Sequence, residues 1–363
     1  MSVPKWILIG TATLFSMIGI AAFVKKGRAQ SVTAIAPLKE TASISETPVV
    51  SIPVKPPAVQ EVVSKKSAKE KKGKGKEVQL ASASITAPAA SSLPRPVLTA
   101  KDDFPAIDRI FQLFTTGSSK LPIIETITYA SSVPWLKGRP AWIADYATYY
   151  STSRHFIARS LNGKPDYFSQ KVSEGSRFNV FRKDKKIQFY LLVDVSRCKM
   201  GFYYVDLDTN ERVLLKTYRV GLGRLDPSTP SGTLTPLGRY SLGNRVAIYK
   251  PGMMGFYQDQ KVEMIRVFGT RWIPLDQEVE RTTALAKGYG LQGAPWTVDP
   301  ATAQILENRN SIGAYDSNGC VILASDDIEE LFAIVLTKPT FIEIVKDFHE
   351  AKLPGVEVAA PSR

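Results

Sequence analysis

Short apolar runs and turn-forming residues alternate along the second half of the chain. Runs rich in β-branched and aromatic residues, a composition typical of strands, cover residues 178–181, 187–194, 201–205 and 213–220. A helical run at 328–335 follows Ser325, which can cap it, and a last strand pattern covers Thr340–Val345. Short strands separated by turns predict a mainly β domain, a sandwich or barrel with one flanking helix.

Apolar positions before residue 178 follow a helical period instead. A first set with helical spacing comprises Ile107, Ile110, Phe111 and Phe114, and an aromatic-rich face continues over residues 141–161. His155 lies on that second face, where a lone histidine is most simply a half-buried packing residue. We predict a small, mostly helical domain over residues 101–180, to which the sequence assigns no function.

The N-terminus predicts a membrane segment. Trp6 to Val24 is a run of 19 residues without a charge, and ~20 apolar residues suffice to cross a bilayer. A cleaved signal peptide has a shorter apolar core and a small-residue cleavage site, and this chain offers only weak cleavage signals at Ala21-Ala22 and Ala29. We therefore favour an uncleaved signal anchor over residues 1–26.

Residues 27–100 have the composition of a disordered linker. They are rich in Ala, Pro, Ser and Lys and contain no Trp, Tyr, Phe, Cys or His, so they cannot bury enough apolar surface to fold. Seven lysines and one acid lie between residues 65 and 76, in a chain whose net charge is +13. Such a run can bind nucleic acid, an anionic membrane or a wall polymer, but a solvated linker is the simplest interpretation.

Several common kinds of site have no support in the sequence. Two histidines and two scattered cysteines, Cys198 and Cys320, give no zinc spacing. The chain has neither a Gly-x-x-x-x-Gly-Lys phosphate loop nor a Gly-x-Gly-x-x-Gly dinucleotide fingerprint, and no recognisable nucleic-acid module. We therefore expect no metal, no cofactor and no nucleic-acid partner.

Two groups of motifs resemble a known enzyme family. The first is the order Val193-Asp194, Val220 to Gly223 and Thr229 to Thr233, and the second is Ser311 to Ile322, which contains Ser317-Asn318-Gly319-Cys320. Together they resemble the YkuD-type L,D-transpeptidase catalytic domain, whose active-site segment runs Ile-Gly, a few residues, then Ser/Thr-His-Gly-Cys. The resemblance implies a YkuD-like β catalytic domain over residues 185–347 and a tail at 348–363.

The resemblance also implies acyl transfer on peptidoglycan. In this family a cysteine attacks the carbonyl of a stem peptide, forms a thioester, and passes the acyl group to an amine. Cys320 stands at the nucleophile position, Ser317 belongs to the same motif, and the backbone of Gly319 stands at the oxyanion position. Stem peptides of peptidoglycan are therefore the expected substrates.

The family works in the cell envelope, which bears on the orientation of the membrane segment. The charges of Lys25, Lys26 and Arg28 after the apolar run favour a cytoplasmic C-terminal side. Because the resemblance points to the envelope, we expect instead an inner-membrane-anchored protein whose folded part lies in the periplasm. Envelope or division proteins are then its expected macromolecular partners.

Both histidines of the family motif are replaced in this chain. Asn318 and Gln292 stand at their positions, and neither amide can accept a proton at neutral pH. The intervening stretch Ala294–Asn310 is longer than usual for the family, and His349 lies beyond the last predicted strand. Asp316, Tyr315 and Lys287 are the candidates to orient or deprotonate the thiol in place of histidine.

Two hypotheses of different classes remain open at this stage. The retained Cys320 favours a transpeptidase, whereas the missing histidines favour a catalytically inactive relative that binds wall peptides or scaffolds a division complex. Cys198 lies in a predicted hairpin turn and has no role in the family. In an oxidising envelope it could pair with Cys320, and such a disulfide would abolish nucleophilic activity.

Overall fold

The computed structural model describes residues 104–165, 167 and 171–358. The predicted membrane segment, the predicted linker and the last five residues of the tail lie outside the described residues. None of the helices described is long and apolar enough to cross a membrane. The described residues all belong to one unit of the fold, which spans Val50–Arg363.

The described residues form five α-helices, two short 3₁₀-helices and eighteen strands. The α-helices are α1 Phe111–Phe114, α2 Ile143–Tyr149, α3 Arg154–Asn162, α4 Ile265–Phe268 and α5 Ser325–Val335, and the 3₁₀-helices cover Arg309–Ser311 and Phe348–Glu350. The strands are β1 Ile124–Thr128, β2 Arg177–Phe181, β3 Ile187–Asp194, β4 Lys199–Asp206, β5 Glu211–Arg219, β6 Leu222–Gly223, β7 Gly238–Leu242, β8 Ala247–Ile248, β9 Met254–Tyr257, β10 Gln260–Glu263, β11 Arg271–Glu280, β12 Gly290–Gly293, β13 Trp296–Val298, β14 Ile305–Glu307, β15 Tyr315–Ser317, β16 Val321–Leu323, β17 Thr340–Val345 and β18 Val356–Glu357.

Ten of these strands form one mixed sheet that curls into a half-barrel. Its order is β16-β12-β11-β7-β17-β3-β4-β5-β18, and β8 pairs with β11 beside this path. The pairs β12–β16, β3–β17 and β5–β18 are parallel, and the others are antiparallel. The predicted mainly β fold with a flanking helix is therefore confirmed.

The central strands are apolar on both faces because both faces are covered. Successive side chains of a strand point to opposite faces, so Phe189, Leu191 and Val193 of β3 enter one buried cluster, and Tyr190 and Leu192 enter another. Helix α5 buries its own apolar side in the first of these clusters. These packed strands hold the ends of the neighbouring strands in fixed positions.

The region before the main sheet differs from its predicted pattern in two respects. The helix predicted over residues 141–161 is divided into α2 and α3, because Ser151 has a left-handed φ of 45° and Ser153 caps α3. The Oγ of Ser153 accepts a hydrogen bond of 3.0 Å from the N–H of Phe156. The strand at 178–181 lies in β2, which pairs with β1 rather than with the main sheet.

The stretch Ala294–Asn310, which the sequence marks as unusually long, contains a separate β-hairpin. Strands β13 and β14 pair antiparallel with each other and form a separate two-stranded sheet. The parallel strands β12 and β16 lie on either side of this hairpin in sequence and are direct neighbours in space. The candidate catalytic residues are located at the ends of these two strands.

Candidate active site

The pairing of β12 with β16 determines which side chains meet at the site. Leu291 pairs with Val321 and Gln292 with Ile322. Leu291 and Val321 are buried in the core, and the alternate residues of the two segments, Gln292 and Cys320, line an open cleft. Two positions 28 residues apart in the sequence are thereby brought to one wall.

The cleft has a volume of about 570 Å³, and its lining combines apolar side chains with several charged ones. Its lining includes Cys320 together with Arg224, Arg266, Lys287, Tyr289 and Asp316. The hairpin of β9 and β10 contributes Tyr257 and Gln258 to the rim. An open cleft that contains a nucleophile and several charged side chains is the usual form of an active site.

A tight turn holds Cys320 in place. The hydroxyl of Ser317 donates to the carbonyl oxygen of Cys320 at 2.7 Å and accepts from the N–H of Gly319 at 3.0 Å. Gly319 has a φ of 110°, and a Cβ there would lie 2.5 Å from the ring of Tyr289 and 2.6 Å from the carbonyl oxygen of Leu234. Only glycine fits this position without displacing the backbone before Cys320.

This turn corrects the expected role of Gly319 as an oxyanion donor. Its N–H is already engaged by the Ser317 hydroxyl, and Ser317 itself positions the turn. The N–H of Cys320, by contrast, has no acceptor among the described residues. The remaining backbone donor at the nucleophile is therefore that of Cys320.

The electrostatic surroundings of Cys320 keep its thiol protonated. The residue is half-buried at the floor of the cleft, and its burial raises the pKa of the thiol to about 12, which the backbone N–H of Gly290 opposes only in part. The Sγ lies 3.9 Å from the carbonyl oxygen of Gly288, which accepts a weak hydrogen bond from the thiol. A thiolate is the reactive form of cysteine, so Cys320 is weakly activated in the absence of substrate.

Tyr315 does not face the cleft, contrary to expectation. Its neighbours Asp316 and Ser317 line the cleft, but its own hydroxyl donates at 2.7 Å to the carbonyl oxygen of Val195 in the turn between β3 and β4. Burial raises the pKa of Tyr315 far above its ordinary value. Tyr315 is therefore a packing residue and no substitute base.

Cys198 lies in the same turn between β3 and β4 and is buried there with a φ of 50°. Its side chain belongs to the core cluster that includes Val195 and Met200. Neither Cys198 nor Cys320 forms a disulfide bond. The disulfide considered from the sequence is absent.

The comparison with known families concerns the part of the chain that carries this site. Residues 188–344 match the model of the L,D-transpeptidase catalytic domain, YkuD. The segment is a YkuD domain. The resemblance seen in the motifs is therefore confirmed, with Cys320 inside the matched segment.

Two solved structures resemble the chain over part of its length. The helical cell shape determining protein Pgp2 from Campylobacter jejuni is 16% identical, with 47% of this chain and 51% of that chain covered and a TM-score of 0.31. Bd1075 from Bdellovibrio bacteriovorus is 17% identical, with 44% and 48% covered and a TM-score of 0.29. The similarity thus spans about half the length of each relative. No curated protein sequence matches the chain.

The two residues at the histidine positions of the YkuD motif are both placed at the cleft. Gln292 is buried, and its Nε2 donates to the carbonyl oxygen of Val267 at 3.1 Å. Asn318 is exposed at the rim. Both amides line the cleft, and neither can take up a proton at neutral pH.

Neither histidine of the chain replaces them. His155 packs its ring against Phe332, with the ring centroids 5.5 Å apart, as expected for a packing residue. His349 lies in the second 3₁₀-helix, where its Nδ1 is 2.6 Å from a carboxylate oxygen of Asp347. Asp316 and Lys287 are the two predicted substitutes that do line the cleft.

Some residues of the cleft were not predicted from the sequence. Arg224 follows β6, and its backbone N–H donates to the carbonyl oxygen of Ser317 at 2.9 Å because β6 pairs with β15. Arg266 and Tyr289 come from a region to which the sequence pattern assigned no element. Of these, only Arg224 carried a signal, since it directly follows one of the family motifs.

Proposed function

We propose that this protein acts on the stem peptides of peptidoglycan and that Cys320 is its acylating nucleophile. The observation that carries the proposal is the position of Cys320. Its thiol lies in an open cleft, at the end of a strand of the YkuD domain, on a turn that only glycine at residue 319 permits. A cysteine that served packing alone would point into the core, as Cys198 does.

The proposed reaction has two steps. The Sγ of Cys320 attacks the carbonyl carbon of a peptide bond, a C–S bond forms, the C–N bond breaks, and the leaving amine takes the thiol proton. An acceptor amine of a second stem peptide then attacks the thioester carbonyl and forms a new amide bond, the C–S bond breaks, and the proton of the amine passes to the sulfur. The N–H of Cys320 has no acceptor in the described fold. We therefore assign it the role of the donor that stabilises the oxyanion.

The proposed enzyme is slow unless substrate binding changes the surroundings of the thiol. Burial raises the pKa of the Cys320 thiol to about 12, so only a very small fraction of it is ionised at pH 7. Cysteine is the side-chain nucleophile that depends least on a base. Asp316 and Lys287, on the cleft wall, are the titratable groups available to assist the proton transfer.

A second candidate function is peptide binding without catalysis. It is favoured by Gln292, an amide at the position of a motif histidine, and by the raised pKa of Cys320. In this alternative the same cleft holds a wall peptide, and the protein acts as a peptidoglycan-binding or division-complex scaffold protein.

The two candidates are separated by intact-mass spectrometry of the full-length chain under reducing conditions. The protein is incubated with a reactive carbapenem and with tetrapeptide stems, alongside the variants Cys320→Ala and Cys198→Ala. The enzyme hypothesis requires an adduct that is lost in Cys320→Ala and kept in Cys198→Ala. A folded protein that gives no adduct but still binds the tetrapeptide is a binding module.

We also propose that residues 1–26 anchor the protein in the inner membrane and that residues 27–100 tether its folded part in the periplasm. The support is the uncharged run of 19 residues and the aromatic-free composition that follows it. Protease treatment of spheroplasts tests the orientation. The folded part is digested from the outside if it is periplasmic, and a protected folded part would place it in the cytoplasm.

A further inference from the structure

Three cationic side chains converge on the cleft without an ionic partner. Arg224, Arg266 and Lys287 all line it, and all three are exposed. None of them forms an ion pair or a side-chain hydrogen bond with any described residue. They come from three separate parts of the chain, after β6, within α4 and before β12.

Many of the other cations in the described fold have carboxylate partners. Lys216 lies 2.8 Å from Glu330, Arg197 lies 2.6 Å from Asp194, and Arg281 lies 2.7 Å from Glu343. In each of these pairs the carboxylate is buried or partly buried. The three cations that line the cleft, Arg224, Arg266 and Lys287, have no such partner among the described residues and are therefore available to a bound molecule.

The balance of charge on the cleft wall is positive. Asp316 is the one acid that lines the cleft within the described residues, so the lining carries three positive charges against one negative charge, a difference of +2. A cleft lined by one sign of charge concentrates ligands of the opposite sign. The guanidinium groups of Arg224 and Arg266 can each bind a carboxylate through two parallel hydrogen bonds.

We propose that the cleft selects stem peptides by their free carboxylates, so that a peptide with two or more ionised carboxylates binds more tightly than the same peptide with those groups amidated. The proposal rests on the proposed function, since it takes the stem peptide as the ligand. Arg224, Arg266 and Lys287 are the specificity-determining cations.

The test measures binding rather than reaction, so that it does not depend on acylation. The full-length Cys320→Ala protein is titrated with a tetrapeptide stem that has free carboxylates and with its fully amidated form, using calorimetry. We expect the free acid to bind at least about 10-fold more tightly, the effect of losing one hydrogen bond to a charged group. Its affinity should fall as salt rises from ~0.05 to ~0.5 M, because exposed charges are screened.

Charge-removing variants in the same background locate the effect. Arg224→Gln, Arg266→Gln and Lys287→Gln should each weaken binding of the free acid by about 10-fold and leave the amide unchanged. Asp316→Asn should strengthen it, because the one negative charge of the lining is removed. Lys164→Gln is the matched control, since Lys164 is exposed, has no ion pair in the described fold and lies outside the cleft.

The outcomes separate this proposal from the proposed function. Equal affinity for acid and amide, or an unchanged affinity in all three cation variants, overturns the carboxylate selection even if Cys320 is acylated. No binding of either peptide overturns it as well. Selective binding of the acid by a protein whose wild-type form gives no acyl adduct supports the selection and overturns the transpeptidase.

Discussion

Gln292 is the residue whose side chain most limits the proposed chemistry. It lies on the strand that pairs with the strand after Cys320, at the position that the motif resemblance assigns to a histidine. We expect Gln292→His to raise the rate of Cys320 acylation by about 10²-fold or more, the usual contribution of a general base. The measurement is the time course of adduct formation by mass spectrometry.

The control for this substitution is Gln292→Leu, which removes the same amide without adding a base. Leucine also leaves the carbonyl oxygen of Val267 without its donor, as histidine at this position can. If histidine and leucine give the same rate, the position does not act through proton transfer.

Gly319 carries a second prediction at the residue scale. A side chain there combines a left-handed φ of 110° with contacts of 2.5 Å to Tyr289 and 2.6 Å to Leu234. We expect Gly319→Ala to lower the free energy of unfolding by about 1–3 kcal/mol, the cost of a strained backbone position, and to abolish acylation by moving Cys320. Urea denaturation and adduct formation measure the two effects. Gly117→Ala is the matched control, because a Cβ at Gly117 meets only the hydroxyl of Thr115 at 3.6 Å.

At the scale of elements, a partly buried ion cluster joins α5 to β5. Lys216 of β5 lies 2.8 Å from Glu330 and 3.0 Å from Asp327, both on α5. Burial opposes the charge of Lys216, but the two carboxylates raise its pKa overall. Burial also raises the pKa of Glu330, and Lys216 opposes this rise. The cluster is therefore stable only while each charge keeps its partner.

We expect Lys216→Ala to lower the free energy of unfolding by about 3 kcal/mol at pH 7, because the partly buried carboxylate of Glu330 loses the cation that lies 2.8 Å from it. The pKa of Glu330 is raised above its ordinary value of 4.5. Its protonated carboxyl therefore stabilises the fold at pH values below 4.5, and this stabilisation is lost as the pH rises through the raised pKa. The loss of unfolding free energy caused by Lys216→Ala should therefore be smaller at pH 4 than at pH 7. Urea denaturation at both values tests this, with Lys186→Ala as an exposed control. An equal penalty at the two pH values would mean that Glu330 is not the cause.

Elements were predicted well from the sequence where local pattern and packing agree. The strands of Ile187–Asp194 and Thr340–Val345 match their predicted bounds, because their β-branched and aromatic residues are buried on both faces. The predicted helix over 141–161 failed at Ser151 to Ser153, where polar residues cap a new helix. Residues 237–290 gave no clear pattern, since β7 to β12 are mostly short and several of their residues are exposed.

The site was predictable only in part. Cys320 and Gln292 followed from the motifs, and the parallel pairing of their strands confirmed that they share a wall. The direction of a side chain depends on the pleat of its strand and on the strand with which it pairs. The spacing of residues along the sequence reveals neither. The hydroxyl of Tyr315 therefore points to the turn between β3 and β4 and not to the cleft. Arg266 could not be predicted, because only the tertiary fold brings α4 to the cleft.

At the scale of the whole molecule, the two thiols report on different processes. Cys198 is buried in the core, and Cys320 lines the open cleft. We expect iodoacetamide to modify Cys320 in the native protein and Cys198 only at the rate of global unfolding. Because the pKa of Cys320 is raised to about 12, its alkylation rate should rise about 10-fold per pH unit from pH 7 to beyond pH 9. A rate that levels off near pH 9 would contradict the raised pKa.

The β13–β14 hairpin has a practical value for protein engineering. Its two strands pair only with each other, and the strands before and after it, β12 and β16, pair directly. The spacing between Gln292 and Cys320 is therefore set by that ladder and not by the number of residues in the connection. A reporter peptide or a cross-linking handle can be grafted between Asp299 and Gln304, at the tip of the hairpin, while the geometry around the thiol is preserved.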